Sequence, residues 1–250
     1  MNLAVELLDL CLDWEDQELQ VQLSLSAEVG EFLALVGPNR SGRGLLLRLC
    51  AGLISPSRGT VRVLGRELSQ LSEEELVALR LRIGIVLQQP GLLSNMTVFD
   101  NVALPLRYHG AMPESAIQSL VTARLDTLGL TPLRNRFPAQ LNAGEARCTA
   151  IVRALIMDQE LLLLEDPTEG LDAEMIQRLG QHFAECRRTR SLTILATMRA
   201  FSPLMETADR VAFMRGGRLE AVARHQDLLR MADAGMKQYL TAPGIPEQSL

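Results

Sequence analysis

The chain contains a single lysine, Lys237, so its positive charge is carried almost wholly by arginine and no lysine ammonium is available before residue 237. No apolar run approaches the roughly 18 residues a membrane-spanning helix requires, so any membrane association is expected to run through partners. Met1 to Glu18 holds no basic residue and does not read as a secretory leader; the chain is expected in the cytosol. The four cysteines, Cys11, Cys50, Cys148 and Cys186, show no CxxC or metal spacing and sit in apolar contexts, which predicts reduced core thiols. A formal net charge of −5 argues against a nucleic-acid partner. Neither a repeat nor a low-complexity segment interrupts the 250 residues, of which 47% are hydrophobic, ample for a buried core.

What is present is an alternation of short apolar runs with helical patterns, the signature of an α/β domain. Val5–Asp13 and Leu19–Ser26 read as antiparallel strands, Phe32–Val36 as a buried strand, and Leu45–Cys50 as a helix. Val61–Leu64 and Ile83–Leu87 read as further strands, with a helix between them opened by Ser72 and Glu75 in a capping box. From Pro90 to about Met157 the pattern is helical, with breakers at Pro105, Gly110, Pro113, Gly129, Pro132 and Pro138. Strand Leu161–Leu164, helix Ala173–Arg188, strand Leu192–Ala196, two edge strands around Gly216 and Gly217, and a helix near Gln226–Met231 follow. Met236–Leu250, with two prolines, reads as an extension.

Strand Phe32–Val36 runs into Gly37-Pro38-Asn39-Arg40-Ser41-Gly42-Arg43-Gly44 and then, from Leu45, a helix. That is the layout of a phosphate-binding P-loop, in which backbone N–H groups and a helix N-terminus face an anion. The pattern asks for lysine, then serine or threonine, after the second glycine; Arg43 and Gly44 stand there. Gly44 has no hydroxyl for magnesium, and the planar fork of Arg43 differs in shape from a compact ammonium. Taken alone, the stretch reads equally as an ordinary Gly-rich turn.

The remaining motifs decide between these. Trp14 precedes the loop, Arg82-Ile-Gly-Ile-Val-Leu-Gln-Gln ends with Gln88 and Gln89, and Leu141-Asn-Ala-Gly-Glu145 precedes a helix ending Val152-Arg-Ala-Leu155. Leu161–Leu164 runs into Glu165-Asp166-Pro167-Thr168, then Glu169-Gly-Leu-Asp172, with Ala208-Asp-Arg-Val211 further on. In this order they resemble the motifs of ATP-binding-cassette (ABC) ATPases over essentially the whole chain. The resemblance implies a P-loop NTPase cassette over 1–235: a RecA-like α/β core, an antiparallel β region, a helical subdomain over about 90–157, and a C-terminal extension at 236–250. It assigns Trp14 to stacking on adenine, Gly37–Leu45 to the phosphates, Gln88 to the Q-loop, Asn142, Ala143, Gly144 and Glu145 to the signature, and Asp172 to the D-loop. Within the family, Gln88-Gln-Pro-Gly-Leu-Leu-Ser-Asn-Met-Thr-Val-Phe-Asp-Asn-Val-Ala-Leu-Pro-Leu106 and the tail Met236-Lys-Gln-Tyr-Leu240, Gly244-Ile-Pro246 resemble the ATPases of Mla/Mce-type lipid transporters.

Measured against the family's chemistry, which the resemblance implies for Asp166, Glu165 and Gln88, the chain keeps Gln88 and departs at the other catalytic positions. The usual aspartate–glutamate order is reversed, so Glu165 is one methylene too long for the metal role and Asp166 one too short for the base. Met198, at the switch-histidine position, offers no useful donor. Ala143 adds a methyl, and Glu145 a negative charge, where the signature of a neighbouring cassette would meet phosphate. Gln88 and Glu165 are what remains for magnesium, so ATP and Mg²⁺ are expected to bind weakly or not at all. The expected partners are an integral membrane permease, a second ABC cassette (as a homodimer or beside a competent ATPase), and Mce-domain or accessory subunits. The expected location is the cytoplasmic face of the inner membrane. Three readings stay open: a pseudo-ATPase serving assembly or regulation, an active transport ATPase, and a soluble interaction protein using the fold without a transporter.

Overall fold

The computed structural model describes residues 2–14, 19–110 and 112–241, with the side chains at 13, 14, 19 and 20 outside that set. The expected stacking role of Trp14 therefore lies outside the described residues, as does the tail at 242–250.

One ten-stranded sheet organises the chain. Its centre is β3 (Phe32–Val36), flanked in parallel by β8 (Thr193–Met198) and β9 (Arg210–Arg215), with β7 (Leu161–Glu165) and β6 (Ile83–Val86) continuing in parallel beyond β8. Strands β3 and β8 are buried at every position, which is why they read as continuous apolar runs rather than alternating ones. Alternate side chains nevertheless divide between two cores. Phe32, Ala34, Val36, Leu162, Leu164, Ile194, Ala196 and Met198 face one, while Leu33, Leu35, Leu161, Leu163 and Leu195 face the other.

The second core is closed by α1 (Arg43–Cys50) and by the antiparallel strands β1 (Leu3–Trp14), β2 (Leu19–Glu28) and β4 (Arg58–Val63). Strand β5 (Arg66–Glu67) edges β4, and α2 (Glu73–Arg80) starts at the expected capping box, in which Ser72 and Glu75 each accept the other's backbone N–H. The first core is covered by α3 (Val98–His109), α4 (Glu114–Thr127) and α5 (Ala143–Ala154), which fill the expected helical region, and by α6 (Ala173–Arg190). Cys50, Cys148 and Cys186 are buried free thiols, Cys11 is part-buried, and burial pushes Cys50 and Cys148 up to about 12.

Three expectations are corrected. The strands around Gly216 and Gly217 are β9 and β10 (Arg218–Ala223), a hairpin inside the sheet: β9 pairs with β3, and β10 joins β2 through Arg218 and Gln22. Pro105 does not break a helix. It lies inside α3, which buries Val98, Phe99, Val102, Ala103 and Leu106 and so offsets the hydrogen bond proline cannot make. The division after residue 235 falls within α8 (Ala234–Thr241); this helix follows α7 (His225–Met231), and its Met236 and Leu240 are buried in the first core.

One buried polar residue fixes the segment between β6 and α3. Asn101 is fully buried; its amide nitrogen donates to the carbonyls of Leu93, Met96 and Thr97 at 3.0–3.1 Å, and its oxygen accepts from the backbone N–H of Leu93 at 2.8 Å. Replacing it with leucine strands those groups in an apolar site, each at about 1–3 kcal/mol. Asn101→Leu is expected to lower unfolding stability by about 2–4 kcal/mol, read as a drop in the urea midpoint at unchanged slope; a shift within 0.5 kcal/mol refutes this account.

Candidate functional site

Because β3, β6, β7 and β8 are parallel, their C-terminal ends open along one edge of the sheet, where ligands of α/β folds commonly bind. A cleft of about 560 Å³ lies there, lined by Asn39 to Leu45, Arg48, Gln88, Glu165, Asp166 and Arg199. It collects the expected loop from Asn39 onward, without Gly37 and Pro38, together with the glutamine and both acids.

The loop wraps tightly. A Cβ on Gly37 would come within 2.0 Å of the Met214 carbonyl, so the backbone passes where no side chain fits. Arg40 turns the loop in the left-handed region (φ 60°), which costs a non-glycine residue about 1–2 kcal/mol. Arg43 folds back over the loop, its Nη1 donating to the carbonyls of Gly37 and Pro38 at 2.6 Å each. Burial holds this guanidinium below its ordinary pKa, against the pull of Asp166.

Gly44 and Glu165 are complementary. A Cβ on residue 44 would sit 2.8 Å from Glu165 Oε1, so the longer acid occupies the space a side chain at 44 would take. Glu165 Oε2 accepts the backbone N–H of Gln88 at 3.2 Å and faces Arg48 Nη2 at 3.6 Å. Arg48 also donates to the Gly44 carbonyl at 3.2 Å. The next residue, Asp166, is held in the left-handed region (φ 48°), its N–H on the Thr197 carbonyl and its carboxylate accepting from Arg199 Nε at 2.9 Å.

Several of the expected site residues serve the fold in this chain. Met198 ends β8 with its side chain in the first core, only 2% exposed; the cation at the mouth of the cleft comes from Arg199 beside it. Glu145 does not present a free charge: its carboxylate accepts the N–H of Asn142 at 2.9 Å while Asn142 Oδ1 accepts from Glu145, a capping box on α5. Asn142, Ala143, Gly144 and Glu145 lie away from the cleft, packed on the D-loop, where a Cβ on Gly144 would meet the Gly170 carbonyl at 2.5 Å. Asp172 caps α6, accepting from Met175 N–H at 2.8 Å.

The arginines were the residues missed. Arg48 lies one helical turn after Gly44 and Arg199 directly follows the strand, both visible as cations beside acids, but their partners are distant in sequence. Arg147 is the most connected. Only 4% of its side chain is exposed, and it donates to the carbonyls of Leu87, Gln88 and Glu165 and to the Glu169 carboxylate at 2.7–3.1 Å. Burial lowers its pKa, opposed first by Glu169.

Comparison with known proteins agrees with this layout. Residues 21–169 match the model of the ABC transporter family. The chain is 38% identical over 197 residues to methionine import ATP-binding protein MetN 1 of Rhodopseudomonas palustris, covering 79% of this chain and 52% of that protein. It thus spans about half the length of that relative. It is 27% identical over 236 residues to the intermembrane phospholipid transport ATP-binding protein MlaF of Haemophilus influenzae, covering 94% of this chain and 89% of that one. The dimeric cassette MJ0796, solved in a post-hydrolysis state with ADP and Pi, superposes with a TM-score of 0.81 at 25% identity over 88% of this chain and 98% of that one. With the family model spanning the P-loop through the paired acids, this chain belongs to the ABC transporter family.

Proposed function

We propose that the protein is the cassette subunit of a membrane transporter and that its own hydrolytic turnover is impaired, so that it serves assembly or regulation, paired with a second cassette. The observation that carries this is the state of the two acids. Asp166 is bonded to Arg199 and Glu165 faces Arg48, with no hydroxyl at residue 44. A general base must reach the water it activates, and Asp166 would first have to release Arg199. Glu165, crowded against residue 44, would have to release Arg48 before it could face a metal. ABC ATPases generally bind ATP with magnesium; here these residues support nucleotide binding better than turnover. Losing a positioned base alone typically costs about 10²–10⁴ in rate.

A phospholipid cargo, with Mce-domain partners, is favoured by the Haemophilus influenzae relative, whose match runs over 94% of this chain, and by the stretch Gln88–Leu106. Import of methionine is the second reading, favoured by the higher identity, 38%, of the methionine ATPase over a shorter span. Among the described residues no helix is long and apolar enough to cross a membrane.

Docking is assigned to the segment held by Asn101. Leu93 is 41% exposed at its surface, whereas Val98 and Phe99, also candidates, are buried and serve the core. Arg153 ties this segment to α5 by donating to the carbonyls of Pro90 and Gly91 at 2.8–2.9 Å, so force on it reaches the signature helix.

Two outcomes are expected. The purified chain shows no magnesium-dependent ATPase, at least about a hundredfold below the ~1 s⁻¹ low end of ordinary enzymes, and Asp166→Ala leaves that background unchanged. Turnover near 1 s⁻¹ that disappears in Asp166→Ala makes this an active ATPase. In detergent-solubilised membranes the native chain retains its permease, and Leu93→Asp, folded by circular dichroism, loses it. An unchanged complex misplaces the interface, and lipid or methionine carried by the purified permease separates the two cargoes. Truncation before α8 is a poor control, since it removes Met236 and Leu240 from the core.

A further inference from the structure

A magnesium ion shared between phosphates and protein needs compact oxygen donors free to turn towards it in octahedral array. Of such donors this cleft keeps the Gln88 carboxamide oxygen, without a side-chain partner among the described residues; the hydroxyl at residue 44 is missing and both carboxylates face arginines. Residue 44 has no side chain, and the space beside it is taken by Glu165, whose Oε1 lies 2.8 Å from where a Cβ would stand. Arg48 Nη1 lies 3.4 Å from the same point, and its Nη2 is 3.6 Å from Glu165 Oε2. A guanidinium therefore stands beside the acid where the fold's divalent ion is expected, and the residues present do not fit that ion.

The charge of the cleft runs the same way. Arg40, Arg43, Arg48 and Arg199 face it against only Glu165 and Asp166, an excess of two positive charges. Arg40 is exposed, with no hydrogen-bond or ion-pair partner among the described residues. Arg43 lies along the loop, and Arg199 is 43% exposed, its Nε on Asp166 and its Nη2 3.9 Å from Glu169 Oε1. Guanidinium groups stay charged at any relevant pH and bind phosphate oxygens in a bidentate fork.

We propose that this cleft binds a linear polyphosphate without a divalent cation, Arg48 supplying beside Glu165 the positive charge that magnesium otherwise supplies. The inference rests on reading the cleft as the cassette's nucleotide site and goes beyond it by naming the ionic form of the ligand. Free triphosphate carries one or more negative charges that a magnesium complex has already neutralised, and the arginines meet those charges directly. Added magnesium then competes with the protein for the phosphates instead of bridging to it.

The test is calorimetric titration of the full-length chain with ATP and, separately, with inorganic tripolyphosphate, each in excess EDTA and in excess magnesium. The expected result is binding in EDTA that is no tighter in magnesium. ATP tighter than tripolyphosphate identifies a nucleotide, and equal affinity a free polyphosphate; both support the metal-free site. Two variants read the sign of the Glu165 interaction. Arg48→Met, which removes a charge-assisted contact, weakens EDTA binding by about ten- to a hundredfold. Glu165→Gln, which frees Arg48 and removes an anion, strengthens it, whereas in a magnesium site it would weaken magnesium–ATP binding. Circular dichroism confirms folding of both variants, and if Arg48→Met unfolds, Glu165→Gln carries the test. Binding that requires magnesium, or that Glu165→Gln weakens, overturns the proposal and leaves the nucleotide site standing. No binding of either ligand under either condition overturns both.

Discussion

The site hangs on one buried cation. Arg147 sits on α5 with its guanidinium out of water, where an unpaired charge would cost several kcal/mol. The structure meets that cost by turning three backbone carbonyls and one carboxylate towards it. Two of those carbonyls belong to the segment after β6, one to the end of β7, and the carboxylate to the turn before α6. The chain segments that carry Gln88, Glu165 and Glu169 are thereby fixed relative to one another by a single planar group. A lysine would offer one donor point and could not span them. The turn carrying Gln88, the paired acids and α5 are tied together by it.

This explains which parts of the molecule were legible in the sequence. Strand β3 was read at its observed bounds, since continuous burial writes an unbroken apolar run and glycines end it. The capping box at Ser72 was read because all its atoms lie within one turn. The same local signal, an Asn three residues before a Glu, sits at Asn142 and Glu145. There the cap coincides with a stretch that the family resemblance assigns to a ligand, so the same two side chains carry two readings. The β9–β10 hairpin was legible as a hairpin, but not as the middle of the sheet. Its place depends on long-range pairings, β9 along β3 and Arg218 of β10 with Gln22 of β2, that no local pattern encodes. Pro105 was misjudged for the opposite reason, because tertiary packing of α3 overrides a strong local preference.

At the site, identity was legible and partnership was not. Asn39 to Leu45, Gln88, Glu165 and Asp166 converge on one cleft. Read singly, Gly44 is a missing hydroxyl and Glu165 an acid of the wrong length. In space they form a matched pair, one lacking the volume the other adds, and a third residue, Arg48, balances the charge. Sequence distance hides this, as Gly44 and Glu165 lie on different sides of the helical region.

The matching bears on how the departures are to be understood. Without a cation fixed near them, two largely buried carboxylates, Glu165 and Asp166, would face one another's charge at the C-terminal end of β7. Like charges so placed, partly desolvated, destabilise the folded state. That is not the arrangement here. Glu165 has Arg48, Asp166 has Arg199, and Glu169 has Arg147, each from a different element of the fold. The left-handed backbone at Asp166, which costs about 1–3 kcal/mol wherever it is not over-determined, is held by the Thr197 carbonyl and by the same Arg199 pair. Pairs drawn from α1, α5 and the end of β8 thus give each of these acids a cation of its own. A cleft whose acids are paired in this way keeps its fold whether or not it turns over a nucleotide.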